Sequence, residues 1–203
     1  MILYLHGFRS SPRSFKAQLM AARMHRLGLG REWACPQLPP SPLAAVVDAQ
    51  RLLTGVKADE LTIVGSSLGG YYATYLAEKL GCRAVLLNPA TRPYDDLGKW
   101  LGEQPMWHGG GTIVVEPRHL DELRMIDVAH ITRPERYYLV AATGDQTLDY
   151  RDMVAKFPGA KLTVIDGSDH GISDFANYMD DVLRFAGIDV PPSPGAAGPF
   201  AGE

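Results

Sequence analysis

The sequence predicts an α/β protein with a mostly parallel sheet of about six strands and helices on both faces. Short apolar segments alternate along the chain with longer segments of helical periodicity, as a parallel sheet requires. One apolar segment, 61–65, passes through a glycine-containing turn directly into the helix-forming run 68–80. Two further apolar segments, 137–142 and 161–166, also end in turns that contain glycine. Together these observations indicate repeated strand–helix units.

Each predicted element follows from its local pattern. The strands are short runs rich in Leu, Val, Ile and Tyr. They are predicted at 2–6, 32–37, 61–65, 83–88, 137–142 and 161–166. The helices fill the intervals, and the one at 42–56 has the clearest period, with apolar residues such as Leu43 and Val46 separated by polar ones. The helices are predicted at 12–27, 42–56, 68–80, 118–128, 146–156 and 172–186.

Length and composition limit the possible architectures and partners. A chain of 203 residues can bury one core of about 180 residues, so we expect a single domain over 1–187. The segment 190–203 is rich in Pro, Gly and Ala without periodicity, which predicts a disordered tail. A formal charge of −3 with scattered basic residues argues against a nucleic-acid partner. No apolar run approaches the roughly 20 residues that cross a bilayer.

The sequence has no pattern typical of secretion, a metal site or a nucleotide cofactor. The first residues resemble a core strand and not a signal peptide, so we expect a cytoplasmic protein. Cys35 and Cys82 fit that compartment as free thiols. His108 and His119 lack an acidic or thiol partner at the spacing of a metal site, so we expect no metal and no cofactor. The oligomeric state leaves no signal in the sequence.

The strongest functional signal is the segment Gly65–Gly69 between a strand and a helix. A serine with glycine two residues away on either side, at a strand–turn–helix junction, is the pattern of a nucleophile held on a strained turn. Only Ser67 has glycine at both positions, which excludes Ser66 as the centre of the motif. The alternative is an ordinary tight turn of an α/β protein.

A second signal is His6-Gly7-Phe8, at the end of the first predicted strand. A serine that attacks a carbonyl group needs backbone N–H donors for the oxyanion that forms. We assign one donor to Leu68, the residue after the serine, and the other to Phe8 in the His-Gly turn. His6 itself is expected to shape this turn by bonding local backbone.

A carboxylate follows the strand 137–142 in a Gly-Asp turn at Asp145. An acid at the end of a strand could orient a catalytic histidine. Two alternatives remain open. Asp145 could instead cap the following helix, and Asp149, predicted to lie inside that helix, is a competing carboxylate. The position at the end of the strand favours Asp145.

The last predicted strand, 161–166, is followed by a glycine-containing turn that carries His170. A single histidine is usually incidental. This one comes last in the order Ser67, Asp145, His170, and serine, acid, histidine is the chain order that accompanies a nucleophile elbow. We therefore predict that His170 is the base that activates Ser67.

With these segments identified, the chain resembles the α/β hydrolases, and more narrowly the small bacterial esterases of the YqiA type, over roughly residues 1–187. The resemblance implies a minimal α/β-hydrolase fold, serine carboxylesterase activity and no cofactor. It also implies a triad of Ser67, Asp145 and His170, which stand on the motif positions. The segments that carry the resemblance are Leu5–Pro12, Gly65–Ala73, Leu87–Ala90, Thr143–Tyr150 and Asp169-His170.

The resemblance is weakest in the segment 97–133. In the α/β hydrolases a cap over the active site is inserted at this place, so we expect a short cap here. Gly109–Gly111 predicts a flexible turn, which could serve as a hinge. The apolar residues of the segment could line an acyl pocket or simply anchor a long loop, and neither interpretation is favoured. These residues are Trp100, Met106, Trp107, Ile113, Val114 and Val115.

The functional hypothesis is hydrolysis of a small or acyl-chain ester through an acyl-enzyme on Ser67. An acyl-CoA or other thioester substrate, or transfer of the acyl group to an alcohol, would use the same triad. A non-catalytic scaffold that binds a ligand or partner is less favoured, because such scaffolds usually lose a triad member. No motif indicates the acyl length or the leaving group.

Overall fold

The computed structural model describes residues 1–191, and its main sheet has the predicted architecture. Six strands form this sheet in the order β2-β1-β3-β4-β7-β8, and all neighbouring pairs are parallel. The prediction of about six mostly parallel strands is confirmed. Residues 192–203, most of the predicted tail, lie outside the described residues. The strands are β1 (Ile2–Leu5), β2 (Trp33–Ala34), β3 (Thr62–Ser66), β4 (Arg83–Leu87), β5 (Gly102–Pro105), β6 (Thr112–Val115), β7 (Tyr137–Ala142) and β8 (Lys161–Ile165).

The helices lie between the strands, and each of the six predicted helices has a counterpart. Among the α-helices of residues 1–191, only the four-residue helix at Pro93–Asp96 was not predicted. The α-helices are α1 (Phe15–Arg26), α2 (Pro42–Leu52), α3 (Leu68–Leu80), α4 (Pro93–Asp96), α5 (Pro117–Met125), α6 (Tyr150–Lys156) and α7 (Met179–Phe185). Short 3-10 turns occupy Gly30–Glu32, Ala58–Glu60, Leu97–Trp100, Pro134–Arg136 and Phe175–Asn177.

Two helices begin four or more residues later than predicted because aspartate side chains bond the backbone ahead of them. The helix predicted from residue 146 begins at Tyr150, since Asp145 accepts hydrogen bonds from the Thr147 and Leu148 amides. Asp149, expected inside this helix, is its N-cap and accepts from the Arg151 amide at 2.9 Å. Such local bonds compete with helix formation and favour caps and turns.

The helix predicted over 172–186 is likewise shortened at its start, to Met179–Phe185. Asp169 accepts a hydrogen bond from the Ser173 amide at 2.9 Å, and a 3-10 turn at Phe175–Asn177 follows. The chain therefore stays in turns for several residues after the segment that carries His170.

The central strands of the sheet, β1, β3, β4 and β7, are buried on both faces. In β1, Ile2 and Tyr4 pack into one hydrophobic cluster, whereas Leu3 and Leu5 pack into another. Helices α1 and α7 cover the first cluster, and α2, α3, α5 and α6 cover the second. Because alternate residues of a strand point to opposite faces, two covered faces require nearly continuous apolar strands, which is the pattern that the sequence shows.

The strand order creates a crevice at the carboxyl ends of the strands. β1 lies between β2 and β3, so the chain leaves β1 on one side and returns on the other. Parallel sheets bind ligands where the winding direction reverses in this way. At this crevice a Cβ atom added to Gly7 would lie 3.1 Å from Ser67 Cβ, so the turns after β1 and β3 are in contact. The topology thus brings the two predicted turns together.

The segment 97–133 contains a hairpin that the sequence analysis did not predict. Strands β5 and β6 pair antiparallel, separate from the main sheet. β5 has the sequence Gly-Glu-Gln-Pro and is mostly exposed, so it has no apolar alternation that a pattern could reveal. The turn contains Gly109, Gly110 and Gly111, with φ values of 86°, 72° and 87°. Glycine adopts such positive φ values at no steric cost, which explains the triple glycine.

Candidate active site

Ser67 occupies a sharp turn between β3 and α3. Its φ and ψ are 54° and −121°, a conformation that residues other than glycine rarely adopt. A side chain at Gly65 would collide with the carbonyl of Gly69, and one at Gly69 would collide with the carbonyl of Leu5. Both glycines of the motif are therefore required by close backbone packing, and this packing holds Ser67 in its strained conformation.

The structure brings Ser67, His170 and Asp145 into one chain of polar contacts. His170 Nε2 lies 3.0 Å from Ser67 Oγ, and His170 Nδ1 lies 2.7 Å from Asp145 Oδ2. The Asp145 side chain is fully buried, whereas that of His170 is 24% exposed. The carboxylate is thus shielded from water, and the imidazole faces both the serine and the cavity described below.

The orientation of Asp145 is fixed by its second oxygen. Oδ1 accepts hydrogen bonds from the amides of Thr147 at 2.7 Å and Leu148 at 2.9 Å. This leaves Oδ2 directed at His170. The competing carboxylate, Asp149, instead bonds Arg151 at the start of α6, and these contacts lower its pKa. Asp149 has a structural contact of its own and does not meet His170.

Asn88 holds the loop that carries His170, a role that the sequence analysis missed. This fully buried amide donates from Nδ2 to the carbonyls of Asp169 at 3.0 Å and His170 at 3.2 Å. Its Oδ1 accepts from the Ala142 amide at the end of β7, at 2.8 Å. Asn88 therefore fixes the histidine loop to the strand that precedes Asp145. The available signal was an amide side chain directly after the apolar run of β4.

Lys16 is a second residue at the histidine loop that the sequence analysis did not single out. Its Nζ donates to the carbonyl of Gly171, next to His170. Lys16 lies on the buried side of α1 with Met20 and Met24. The spacing of four residues between these positions places them on one helical face, so the helical period was a usable signal.

The predicted oxyanion donors lie on either side of Ser67. Leu68 is the first residue of α3, so its amide is among those that have no partner inside the helix. The amide of Phe8 makes no backbone hydrogen bond within residues 1–191. Both residues line the same cavity as Ser67. The two N–H groups are therefore available to a ligand, and their role stays a prediction.

His6 fixes the loop after β1. Its Nε2 accepts from the Leu38 amide at 3.1 Å, so the proton is on Nδ1, which donates to the Gly7 carbonyl at 3.0 Å. His6 is 4% exposed, and burial lowers its pKa. A neutral, buried His6 thus shapes the turn that presents the Phe8 amide, as expected from the sequence.

A cavity of about 480 Å³ opens at Ser67 and His170. Part of its wall comes from the segment 97–133, through Trp100 and Trp107. The hairpin is attached there by Arg9, whose Nε donates to the Pro105 carbonyl at 2.6 Å and whose guanidinium lies 4.1 Å from the ring centre of Trp107. The Trp107 amide returns a hydrogen bond to the Arg9 carbonyl at 2.8 Å.

The apolar residues of the segment 97–133 divide between the two roles that the sequence left open. Trp100 and Trp107 line the cavity at Ser67. Met106, Ile113 and Val115 instead line a smaller neighbouring cavity, of about 40 Å³, between the hairpin and the body. The remaining residue, Val114, is 46% exposed.

The other candidate ligands have separate surroundings. His119 caps α5, because its Nδ1 accepts from the Glu116 amide at 3.1 Å, whereas His108 lines the cavity. Within residues 1–191, no three His, Cys, Asp or Glu side chains are grouped so that they could hold a metal ion. Cys35 and Cys82 are free thiols. None of the helices in the described part of the chain is long and apolar enough to cross a membrane.

The parallel sheet, with a strained serine at a strand–helix turn, defines an α/β-hydrolase fold, and solved structures agree. A protein from Agrobacterium vitis S4 with a provisional hydrolase assignment aligns with a TM-score of 0.72 at 20% identity, over 91% of this chain and 87% of its own. Mouse alpha/beta hydrolase domain-containing protein 10 aligns with a TM-score of 0.65 at 16% sequence identity, over 90% of this chain and 89% of its own. Est1E from Butyrivibrio proteoclasticus aligns with a TM-score of 0.59 at 15% sequence identity, over 92% of this chain and 88% of its own.

Sequence similarity also places the chain in a family. The chain belongs to the family described as "Uncharacterised protein family (UPF0227)", whose model matches residues 1–187. This match confirms the resemblance to the YqiA-type α/β hydrolases and covers nearly all of the described residues.

Proposed function

We propose that the protein is a serine carboxylesterase that hydrolyses small-molecule esters through an acyl-enzyme on Ser67. The observation that carries the proposal is the Asp145–His170–Ser67 chain, with contacts of 2.7 and 3.0 Å, at the mouth of a cavity. A serine hydroxyl is a weak nucleophile, and a base within hydrogen-bond distance that is itself oriented by a carboxylate is what activates it.

Each residue has a distinct part in the proposed reaction. His170 Nε2 takes the proton of Ser67 as Oγ attacks the ester carbonyl, and Asp145 stabilises the imidazolium that forms. The amides of Phe8 and Leu68 bind the oxyanion, and loss of one such donor raises a barrier by about 3 kcal/mol. His170 then protonates the departing alcohol and activates the water that releases the acid.

The open position of His170 favours water as the acyl acceptor. Its side chain is 24% exposed and lines the cavity, so water reaches the base without movement of the hairpin. A thioester substrate would use the same groups, and so would transfer to an alcohol, but transfer requires the exclusion of water. Among proteins of the same fold, Est1E has been solved with ferulic acid bound, which fits a small acyl group in such a site.

The proposal is tested by intact mass after exposure to a fluorophosphonate, which reacts with activated serines. We expect one adduct on the wild-type protein and none on Ser67→Ala. Ser66→Ala is the matched control, since Ser66 is the neighbouring hydroxyl, and it should be labelled like the wild type. Absence of an adduct on folded wild-type protein, or persistence of the adduct in Ser67→Ala, would contradict the proposal.

A further inference from the structure

Lys16 is a buried lysine in the wall of the Ser67 cavity, and the proposed reaction does not use it. The residue is 7% exposed and lines the cavity together with Ser67 and His170. Its hydrogen bond to the Gly171 carbonyl occupies one of the three donors of the ammonium group. Burial lowers the pKa of Lys16 to about 8, so the charged form still predominates at neutral pH. A positive charge is therefore present in the wall of the cavity that Ser67 also lines.

This ammonium group lacks a direct acidic partner. Within residues 1–191, no carboxylate oxygen lies within 4.0 Å of Lys16 Nζ. Asp169 and Asp145 attract it from farther away, but Asp169 accepts from the Ser173 amide and Asp145 from His170. Buried charges in proteins are normally paired. A ligand in the cavity could supply the missing partner.

The start of α1 provides a second, independent feature. Ser14 is the N-cap residue of α1, but its hydroxyl does not bond the amides of the helix. Ser14 lines the same cavity, but its Oγ is buried beside the Tyr4 hydroxyl, so the first amides of α1 are left without a side-chain cap. The first turn of α1 contains no acidic residue, so nothing there compensates the positive end of the helix.

We infer that the start of α1 is a subsite for a carboxylate of the substrate, bound by the Lys16 ammonium group. The esters that the enzyme prefers then carry a free carboxylate as well as the scissile ester. This inference rests on the proposed esterase function. It requires no new reaction step, because the carboxylate is held and does not react.

The charged groups around Lys16 favour a ligand with one negative charge over a ligand with two. Asp145 and Asp169 lie near enough to act on Lys16, so a doubly charged phosphate would meet repulsion as well as attraction. A carboxylate brings a single charge and acceptor oxygens for the two ammonium donors that Lys16 does not use on Gly171. A dicarboxylic acid esterified at one end is the simplest substrate of this kind.

The test compares monomethyl glutarate with dimethyl glutarate, which differ in one charge, by measuring methanol release. We expect the wild-type kcat/KM to be higher for the monoester by about tenfold or more, as a charge-assisted hydrogen bond provides. In Lys16→Met this preference should be lost. The ratio of the two esters is the readout, because Lys16 also holds Gly171 and its loss lowers both rates.

Two further variants make the test specific. Lys16→Arg keeps the positive charge and should retain part of the preference for the monoester. Lys156→Met removes a partly buried ammonium that lies against Asp127, outside this cavity, and should keep the wild-type preference. If Lys16→Met fails to fold, the wild-type comparison of the two esters still tests the subsite.

The possible failures can be told apart. Equal kcat/KM values for the two esters in the wild type, or equal losses in Lys16→Met, would overturn the carboxylate subsite and leave the esterase proposal intact. Turnover of neither ester by protein whose Ser67 is labelled by fluorophosphonate would also overturn the subsite alone. Without labelling and without turnover, both proposals fail.

Discussion

The strand ends of the main sheet and the hairpin that faces them are built in different ways. The polar groups around Ser67 follow β1, β3, β7 and β8, parallel strands whose neighbours fix their positions. Within residues 1–191, β5 and β6 pair with each other and with no other strand, and their hairpin meets the turn after β1 through Arg9. The sheet thus fixes Ser67, Asp145 and His170, whereas the hairpin adds part of the cavity wall. If the proposed esterase function holds, we expect changes in the hairpin to alter which substrates fit without displacing those three residues.

The largest expected effect concerns the two neighbouring carboxylates of the rigid part. Asp145→Asn should lower kcat on the order of ten-thousandfold. The asparagine amide no longer holds His170 in the tautomer that has its proton on Nδ1, so Nε2 is not free to accept the proton of Ser67. Asp149→Asn should retain wild-type activity, since Asp149 only caps α6 and asparagine caps equally well. Steady-state ester hydrolysis measures both variants, and thermal unfolding checks their fold. Comparable losses in the two variants would show that Asp145 has no special role.

The next prediction concerns the attachment of the hairpin. Arg9→Ala removes the bond to Pro105 and the contact with Trp107, which together stabilise the wall by about 1–2 kcal/mol. We expect KM for a given ester to rise about tenfold while kcat changes little. Arg118→Ala, which removes an exposed arginine from α5 in the same segment, should leave both constants unchanged. A large fall in kcat at unchanged KM would instead place Arg9 at the reacting centre.

The smallest effect is a pH dependence of stability that arises from His6. Burial lowers the pKa of His6 below its ordinary value of 6.5, so the unfolded chain takes up a proton more readily than the folded chain. His6 therefore contributes stability above pH 6.5, and this contribution is lost as the pH falls. Urea unfolding at about pH 7.5 and about pH 5.5 should show a smaller loss in His6→Gln than in the wild type.

His25, which is exposed, provides the control for that measurement. His25→Gln should lose as much stability on acidification as the wild type does. If His6→Gln also loses as much as the wild type, the acid sensitivity comes from other groups.

The sequence revealed the parts of the molecule in which backbone geometry dictates the residue. Gly65 and Gly69 are required where the serine turn packs this closely, so the turn could be recognised from the spacing of its glycines between an apolar segment and a helix-forming run. The central strands β1, β3, β4 and β7 were equally evident, because burial on both faces leaves them almost no polar positions.

Other parts depend on contacts between distant positions. Asn88 bonds carbonyls at 169 and 170, and no local pattern indicates which loop will come to lie beside it. The β5 strand is exposed and is paired through its backbone alone, so its side chains follow no period. Helix α6 begins late because Asp145 accepts hydrogen bonds from the Thr147 and Leu148 amides. The composition of the segment does not indicate that Asp145 bonds these two amides.

Because Gly69 packs against the end of β1, the conformation of Ser67 depends on whether β1 has docked during folding. The conformation of Ser67 costs about 1–3 kcal/mol and persists only when its neighbours impose it. One of these neighbours is the carbonyl of Leu5, more than 60 positions earlier in the chain. During refolding, an isolated unit of β3 and α3 would contain the complete motif without the contact that holds its turn. Reactivity of Ser67 should therefore emerge only when the first strand docks, so the rate at which labelling returns would time that step of folding.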